Sequence, residues 1–74
     1  MLTRVRDLDE RVNTGRVVEW QSPAGTRYRW ERHARRAGLE ISPGAGRWLW
    51  LDAHPADLRA ARRVVLDHIN SEEL

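Results

Sequence analysis

The stretch RVVEWQSPAGTRYRWER, residues 16–32, contains two segments in which apolar and polar residues alternate, separated by SPAG. Alternation with period two is typical of a strand that buries one face. A proline followed by a glycine marks a tight turn between two such strands. A three-residue loop, 23–25, would place Gly25 in the left-handed conformation that these loops require. We therefore predict a β-hairpin with strands at 16–22 and 26–32.

The same loop predicts the register of the hairpin, because loop length determines which residues face each other. The predicted cross-strand pairs are Ser22 with Thr26, Trp20 with Tyr28, Glu19 with Arg29, and Val18 with Trp30. In this register the large apolar side chains share one face of the hairpin, while Glu19 and Arg29 form an ion pair on the other. A four-residue loop would instead pair Trp20 with Arg27 and scatter the apolar face.

The N-terminal segment, residues 3–12, has an apolar spacing that predicts a helix, and the alternative is an irregular extended arm. Its apolar face consists of Val5, Leu8 and Val12. Thr3 is the predicted N-cap, Asp7 and Arg11 form an i,i+4 pair, and Gly15 ends the helix.

The C-terminal segment, residues 55–70, predicts a second helix. Pro55 suits the first helical position and Asp57 the first turn. An apolar stripe follows, made of Leu58, Ala61, Val65 and Ile69, with Leu66 at its margin. The residues predicted to face water are Arg59, Arg63 and Asp67.

Between the first hairpin and this helix, strands at 39–42 and 47–51 flank the turn sequence SPGAG. The strand RWLWL is apolar on both sides, which is typical of a strand covered on both faces or lying at an association surface. Trp48 and Trp50 are expected on one face, Leu49 and Leu51 on the other.

The predicted fold class is α+β. Residues 1–74 form a single small domain, with an antiparallel sheet of three to four strands and an N-terminal and a C-terminal helix on one face. This element order is similar to that of double-stranded-RNA-binding domains and of phage-integrase arm-binding domains, a resemblance of topology alone. A competing interpretation makes residues 26–37 a helix that ends at Gly38.

The charge of the chain is concentrated rather than large. All 13 basic residues are arginine, and 11 acids reduce the net charge to +2. Attraction to nucleic acid must therefore come from clustering, and five arginines lie in TRYRWERHARR, residues 26–36. Arginine, alanine and glycine, whose codons are GC-rich, are abundant, which suggests a high-GC bacterium, or one of its phages or mobile elements, as the source. The absence of a long apolar run and of a signal-peptide core predicts a cytoplasmic protein with no membrane association.

The leading prediction is a small accessory nucleic-acid-binding protein, with DNA preferred over RNA. The predicted contact residues are Arg27, Arg29, Arg32, His33, Arg35, Arg36 and Arg47, because guanidinium groups hold phosphates bidentately. The alternative is a protein–protein interaction module that regulates or inhibits a host protein. Its predicted anchor is the strand of Trp48, Leu49, Trp50 and Leu51, and a homodimer would use the same surface.

The sequence predicts no enzyme, metal or cofactor. The chain has no cysteine, and its three histidines lack the spacing of a metal site. No serine or threonine lies in a nucleophile motif. A nuclease using Arg29, Glu31 and His33 needs no cofactor, but it requires all three on one strand face.

Overall fold

The computed structural model describes residues 4–32, 39–42, 48–51 and 55–72. In chain order these form a 3₁₀ turn (Val5–Asp7), β1 (Asp9–Asn13), β2 (Val17–Gln21), β3 (Arg27–Glu31), β4 (Leu39–Ser42), β5 (Leu49–Leu51) and α1 (Leu58–Glu72). The strands make one antiparallel sheet in which each strand pairs with the next along the chain. The α+β class predicted from the sequence is confirmed.

The central hairpin has the predicted register. Trp20 pairs with Tyr28, Glu19 with Arg29, and Val18 with Trp30. The loop is closed by hydrogen bonds between its ends: Ser22 N donates to Thr26 O at 2.8 Å, Gly25 N to Ser22 O at 2.9 Å, and Thr26 N to Ser22 Oγ at 3.0 Å. Gly25 has φ +91°, so the position requires the left-handed conformation that glycine adopts without a steric penalty. The helical alternative for residues 26–37 is wrong over Arg27–Glu31, which form β3.

The N-terminal helix predicted at residues 3–12 is wrong. A single 3₁₀ turn leads into β1, which pairs with β2, so the described residues form five strands and one α-helix. The predicted pair of Asp7 with Arg11 does not form: Arg11 Nε contacts Asp9 Oδ2 at 2.9 Å, and Asp7 Oδ2 accepts from Arg4 N at 3.2 Å. Thr3 lies outside the described residues.

Two features of the β1–β2 hairpin explain how this segment forms a strand. Gly15, expected to end a helix, instead has φ +85° in the turn, where Gly15 N donates to Asn13 Oδ1 and Val17 N to Thr14 Oγ1. The register shifts between Glu10 and Val12, which marks a β-bulge. The bulge lets Glu10 and Asn13 pair with the buried residues of β2, while Val12 pairs on the opposite face.

Helix α1 buries the predicted apolar stripe against the sheet. Ala61, Val65, Leu66 and Ile69 are buried and Leu58 is half-buried. The predicted outer residues Arg59, Arg63 and Asp67 are exposed. The helix begins at Leu58 rather than at Pro55, because Asp57 caps it: Asp57 Oδ1 accepts from Ala60 N at 2.8 Å. No helix in the described part of the chain is long and apolar enough to span a membrane.

The core lies between α1 and one face of the sheet, here called the covered face. Its buried members from β2 and β3 are Val18, Trp20, Tyr28 and Trp30, which pack with Ala61, Val65 and Ile69 of α1. The core placement predicted for Trp20 and Trp30 is confirmed, since their exposed fractions are 1% and 2%. No described helix packs on the opposite face of the sheet, here called the open face.

Candidate nucleic-acid interface on the open sheet face

The open face is built by the residues that alternate with the core residues along β2 and β3. These residues are all half-buried: Val17, Glu19, Gln21, Arg27, Arg29 and Glu31. They remain half-buried because neighbouring strands flank them while no described helix lies above them. The strand period that places the aromatic residues in the core thus presents two arginines on this face.

Arg27 and Arg29 converge on one aromatic ring, that of Trp48, which directly precedes β5. The guanidinium carbon of Arg29 lies 4.5 Å from the ring centroid of Trp48, and that of Arg27 lies 5.2 Å from it. Both distances are within the range of a cation–π interaction. We call these three residues the arginine–tryptophan cluster. It joins β3 to the far margin of the sheet on the open face.

Acidic residues border the cluster along the sheet. In the strand register, Arg29 of β3 pairs with Glu19 of β2 on one side and with Glu40 of β4 on the other. Glu31, two residues further along β3, contacts Arg16 Nε at 3.6 Å. On the open face the two arginines are therefore bordered by Glu19 and Glu31, and we call the surface formed by Arg27 and Arg29 the positive strip.

The third arginine of the predicted interface that the structure describes, Arg32, is engaged within the fold. Its Nε donates to Gly15 O at 2.9 Å, and its backbone N donates to Arg16 O at 2.8 Å. Its guanidinium carbon also lies 5.5 Å from the ring centroid of Trp30. Arg32 therefore braces the end of the β2–β3 hairpin and is not part of the cluster. His33, Arg35, Arg36 and Arg47 lie outside the described residues.

The strand predicted as a protein-binding anchor is divided between the two faces. Leu49 and Leu51 pair with Ile41 and Leu39 across β4, and Leu51 packs against the core. Leu49 is 45% exposed, while Trp48 lies in the arginine–tryptophan cluster on the other side. Trp50 is part of β5 and pairs with Glu40, but its side chain is outside the description.

A polar network that sequence reasoning missed lies at the margin of the covered face. Glu10 Oε1 accepts from Trp20 Nε1 at 2.9 Å and from Arg62 Nε at 3.0 Å. Its Oε2 accepts from Arg62 Nη2 at 3.1 Å and from Asn13 Nδ2 at 3.0 Å. The bidentate hydrogen bond from Arg62 is the main reason that the pKa of Glu10 lies below its ordinary value of 4.5, against the opposing effect of burial. Since Glu10 and Arg62 are 52 residues apart, no local pattern indicates this contact.

Two further contacts complete the polar chemistry of the covered face. Tyr28 Oη and His68 Nδ1 are 2.7 Å apart, and their rings meet edge to face. Trp30 Nε1 donates to Pro55 O at 3.4 Å. Among the described residues, no three His, Asp or Glu side chains are grouped so that they could hold a metal ion. These contacts join the sheet to α1 and to Pro55, which precedes α1. We therefore assign them a structural role.

Comparison with known proteins identifies no relative: no family model matches the chain, and neither a curated protein nor a solved structure is significantly similar to it.

Proposed function

We propose that this protein binds nucleic acid through the open face of its sheet. The observation that carries the proposal is the arginine–tryptophan cluster, in which Arg27 and Arg29 lie over the ring of Trp48. A surface arginine that only solubilises a strand has no need of an aromatic support. Two arginines held on one ring form a preorganised cationic site.

Arg27 is the arginine of the cluster best suited to contact a phosphate. A guanidinium supported by an aromatic ring loses less conformational entropy when it binds an anion, because its side chain is already restricted. Its planar fork of N–H groups can hold two phosphate oxygens at once. Among the described residues, Arg27 takes part in no salt bridge.

The strength of this interaction depends on clustering, since the net charge of the chain is only +2. Two phosphate contacts alone give weak binding with a modest salt dependence, because the slope of log affinity against log salt is only about −0.9 per contact on duplex DNA. The predicted contacts Arg35, Arg36 and Arg47 would add to the cluster. Phosphate is common to DNA and RNA, so the same groups would bind either.

The test is the affinity of labelled oligonucleotides measured by fluorescence anisotropy at about 50 and 200 mM salt. The Arg27→Ala, Arg29→Ala double variant should bind at least about tenfold more weakly at low salt than the unmodified protein. Its salt dependence should also fall by about one unit of log–log slope for each lost phosphate contact.

The matched control is the Arg59→Ala, Arg63→Ala double variant, which removes the same charge from the exposed side of α1. It should keep its affinity if the open face is the binding surface. If both double variants lose affinity equally, the loss reflects the change in net charge alone. That result would contradict an interface on the open face. Absence of binding to any DNA or RNA at low salt would contradict the function itself.

A second candidate function is protein binding, favoured by the 45% exposure of Leu49 on β5. The last strand of a sheet offers backbone groups as well as apolar surface to a partner chain. Sedimentation of the purified protein at rising concentration tests the simplest case, self-association. A dimer that Leu49→Ser dissociates would support this candidate, and a monomer at all concentrations would contradict that case.

A further inference from the structure

We infer that the open face binds single-stranded nucleic acid, with a base stacked on the arginine–tryptophan cluster. This inference rests on the proposed function and names its substrate class. It follows from two observations: acidic residues border the two arginines on the open face, and a half-buried aromatic ring lies between those arginines and the sheet margin.

The width of the positive strip is limited by its acidic border. Glu19 pairs with Arg29 in the register and Glu31 lies two residues further along β3, so both carboxylates are on the open face. Two further arginines add little to this strip because each is paired with a carboxylate: Arg11 with Asp9 at 2.9 Å and Arg16 with Glu31 at 3.6 Å.

This charge pattern disfavours a duplex. Sequence-independent duplex binding relies on many phosphate contacts, with about 6–10 typical of strong binders. A rigid double helix laid across this sheet would bring its phosphates over the border carboxylates as well as over the two arginines. Repulsion at the border would offset much of the attraction.

A single strand has a source of affinity that this face can provide. Its bases are accessible, and stacking one base on an aromatic side chain raises affinity about 5- to 150-fold. Trp48 is half-buried, so part of its side chain remains accessible. Bases also stack on arginine guanidinium groups, so Arg27 and Arg29 would add to the stacking surface.

The position of the cluster also suits a flexible strand. Trp48 directly precedes β5, the last strand of the sheet, and Arg27 and Arg29 lie about 7 Å apart along β3, the rise of two residues. A single strand can bend to place one base on the ring and its flanking phosphates at the arginines. A duplex keeps its bases paired and inaccessible to the ring.

The experiment compares a labelled 12-nucleotide thymidine single strand with a 12-base-pair duplex, by anisotropy at about 50 mM salt. We expect the single strand to bind at least about tenfold more tightly. Trp48→Ala should weaken single-strand binding about 5- to 100-fold and duplex binding by a clearly smaller factor, because the duplex loses only the support that the ring gives to the arginines. Arg59→Ala is the control, expected to affect both weakly and equally.

A second variant keeps the test decisive if Trp48→Ala does not fold. Arg29→Lys retains the charge but removes the planar group, so it should weaken single-strand binding several-fold more than duplex binding. Circular dichroism of each variant confirms that the sheet and helix are intact.

The outcomes separate the substrate class from the function. Preference for the single strand, lost in Trp48→Ala or Arg29→Lys, supports the inference. Equal or tighter duplex binding that still requires Arg27 and Arg29 overturns the inference and leaves the proposed function standing. Single-strand binding indifferent to both substitutions also overturns it. If neither oligonucleotide binds, both are overturned.

Discussion

The two faces of this sheet are made by the same strands and differ in how their polar atoms are satisfied. On the covered face, Trp20, Tyr28 and Trp30 are buried, and each has its polar atom in a fixed hydrogen bond. On the open face, Arg27 and Arg29 lie half-buried over Trp48 and are bordered by acidic residues. Residues two apart on one strand thus share an environment, and adjacent residues do not.

The difference shows what burial demands of polar groups. A buried N–H or O–H without a partner costs about 1–3 kcal/mol, so the covered face must satisfy each one. Among the described residues, no buried side-chain polar atom lacks a partner. The open face has water available and can leave donors for a ligand. Stability is therefore expected to depend on the covered face and binding on the open face.

The largest expected effect is on the covered face, from Trp20→Ala. This residue is 1% exposed, and loss of a buried tryptophan side chain costs about 3–5 kcal/mol in free energy of unfolding. That cost is comparable with the whole stability expected of so small a core, about 3–5 kcal/mol. Urea denaturation followed by circular dichroism should show a largely unfolded variant. Val12→Ala, at a position that is 37% exposed, is the control and should cost less than about 1 kcal/mol. Similar costs for both would break the comparison.

An intermediate effect is expected from Glu10→Gln, which retains the shape of the side chain and removes its charge. Arg62 then loses the anionic partner of its bidentate hydrogen bond, at a cost of about 1.5–3 kcal/mol in free energy of unfolding. The control is Asp67→Asn, whose partner Arg63 is 3.9 Å away with both side chains about two-thirds exposed. That surface pair should contribute less than about 1 kcal/mol. If Glu10→Gln proves as mild as the control, the network does not hold β1 to α1.

The same carboxylate predicts a pH dependence. The pKa of Glu10 in the folded state lies below its ordinary value of 4.5, chiefly because of the hydrogen bonds from Arg62. A lowered folded-state pKa stabilises the fold above the unfolded-state pKa, and this contribution is lost as the pH falls through the folded-state value. The unfolding free energies of the unmodified protein and Glu10→Gln should therefore differ by a constant amount near neutral pH. The difference should shrink below about pH 4.5. Denaturation curves from pH 7 to 3 measure it, and a difference that grows on acidification would contradict the assignment.

The smallest effect on stability is expected on the open face, from Arg27→Ala. A partly exposed cation–π contact contributes about 0.5–1 kcal/mol. Thermal and urea denaturation should therefore show a shift smaller than that of Glu10→Gln, while oligonucleotide affinity falls. A destabilisation above about 2 kcal/mol would show that the cluster supports the fold, and would remove the reason to assign it to a ligand.

The sequence predicts which face of the sheet carries the arginines of the candidate interface. It does not predict how these side chains are arranged relative to each other and to Trp48. Alternation along β3 predicts that Arg27 and Arg29 lie opposite the core, as they do. The same reasoning treated Arg32 as a third member of the surface, but its guanidinium holds Gly15 O across the hairpin end. Convergence of the two arginines on Trp48 depends on the pairing of β3, β4 and β5, which local patterns do not reveal.

Local sequence by itself determined the central hairpin and the apolar stripe of α1. Loop length and period-two alternation define one register for residues 16–32, and helical periodicity defines the buried face of α1, because both depend on neighbours within a few residues. Tertiary structure decided the N-terminal segment. Its apolar spacing fits a helix, but pairing with β2 and the hydrogen bonds that Glu10 accepts from Trp20 and Arg62 favour a strand. Intrinsic helix and strand propensities span only about 1 kcal/mol per residue, so contacts with distant residues can determine which conformation forms.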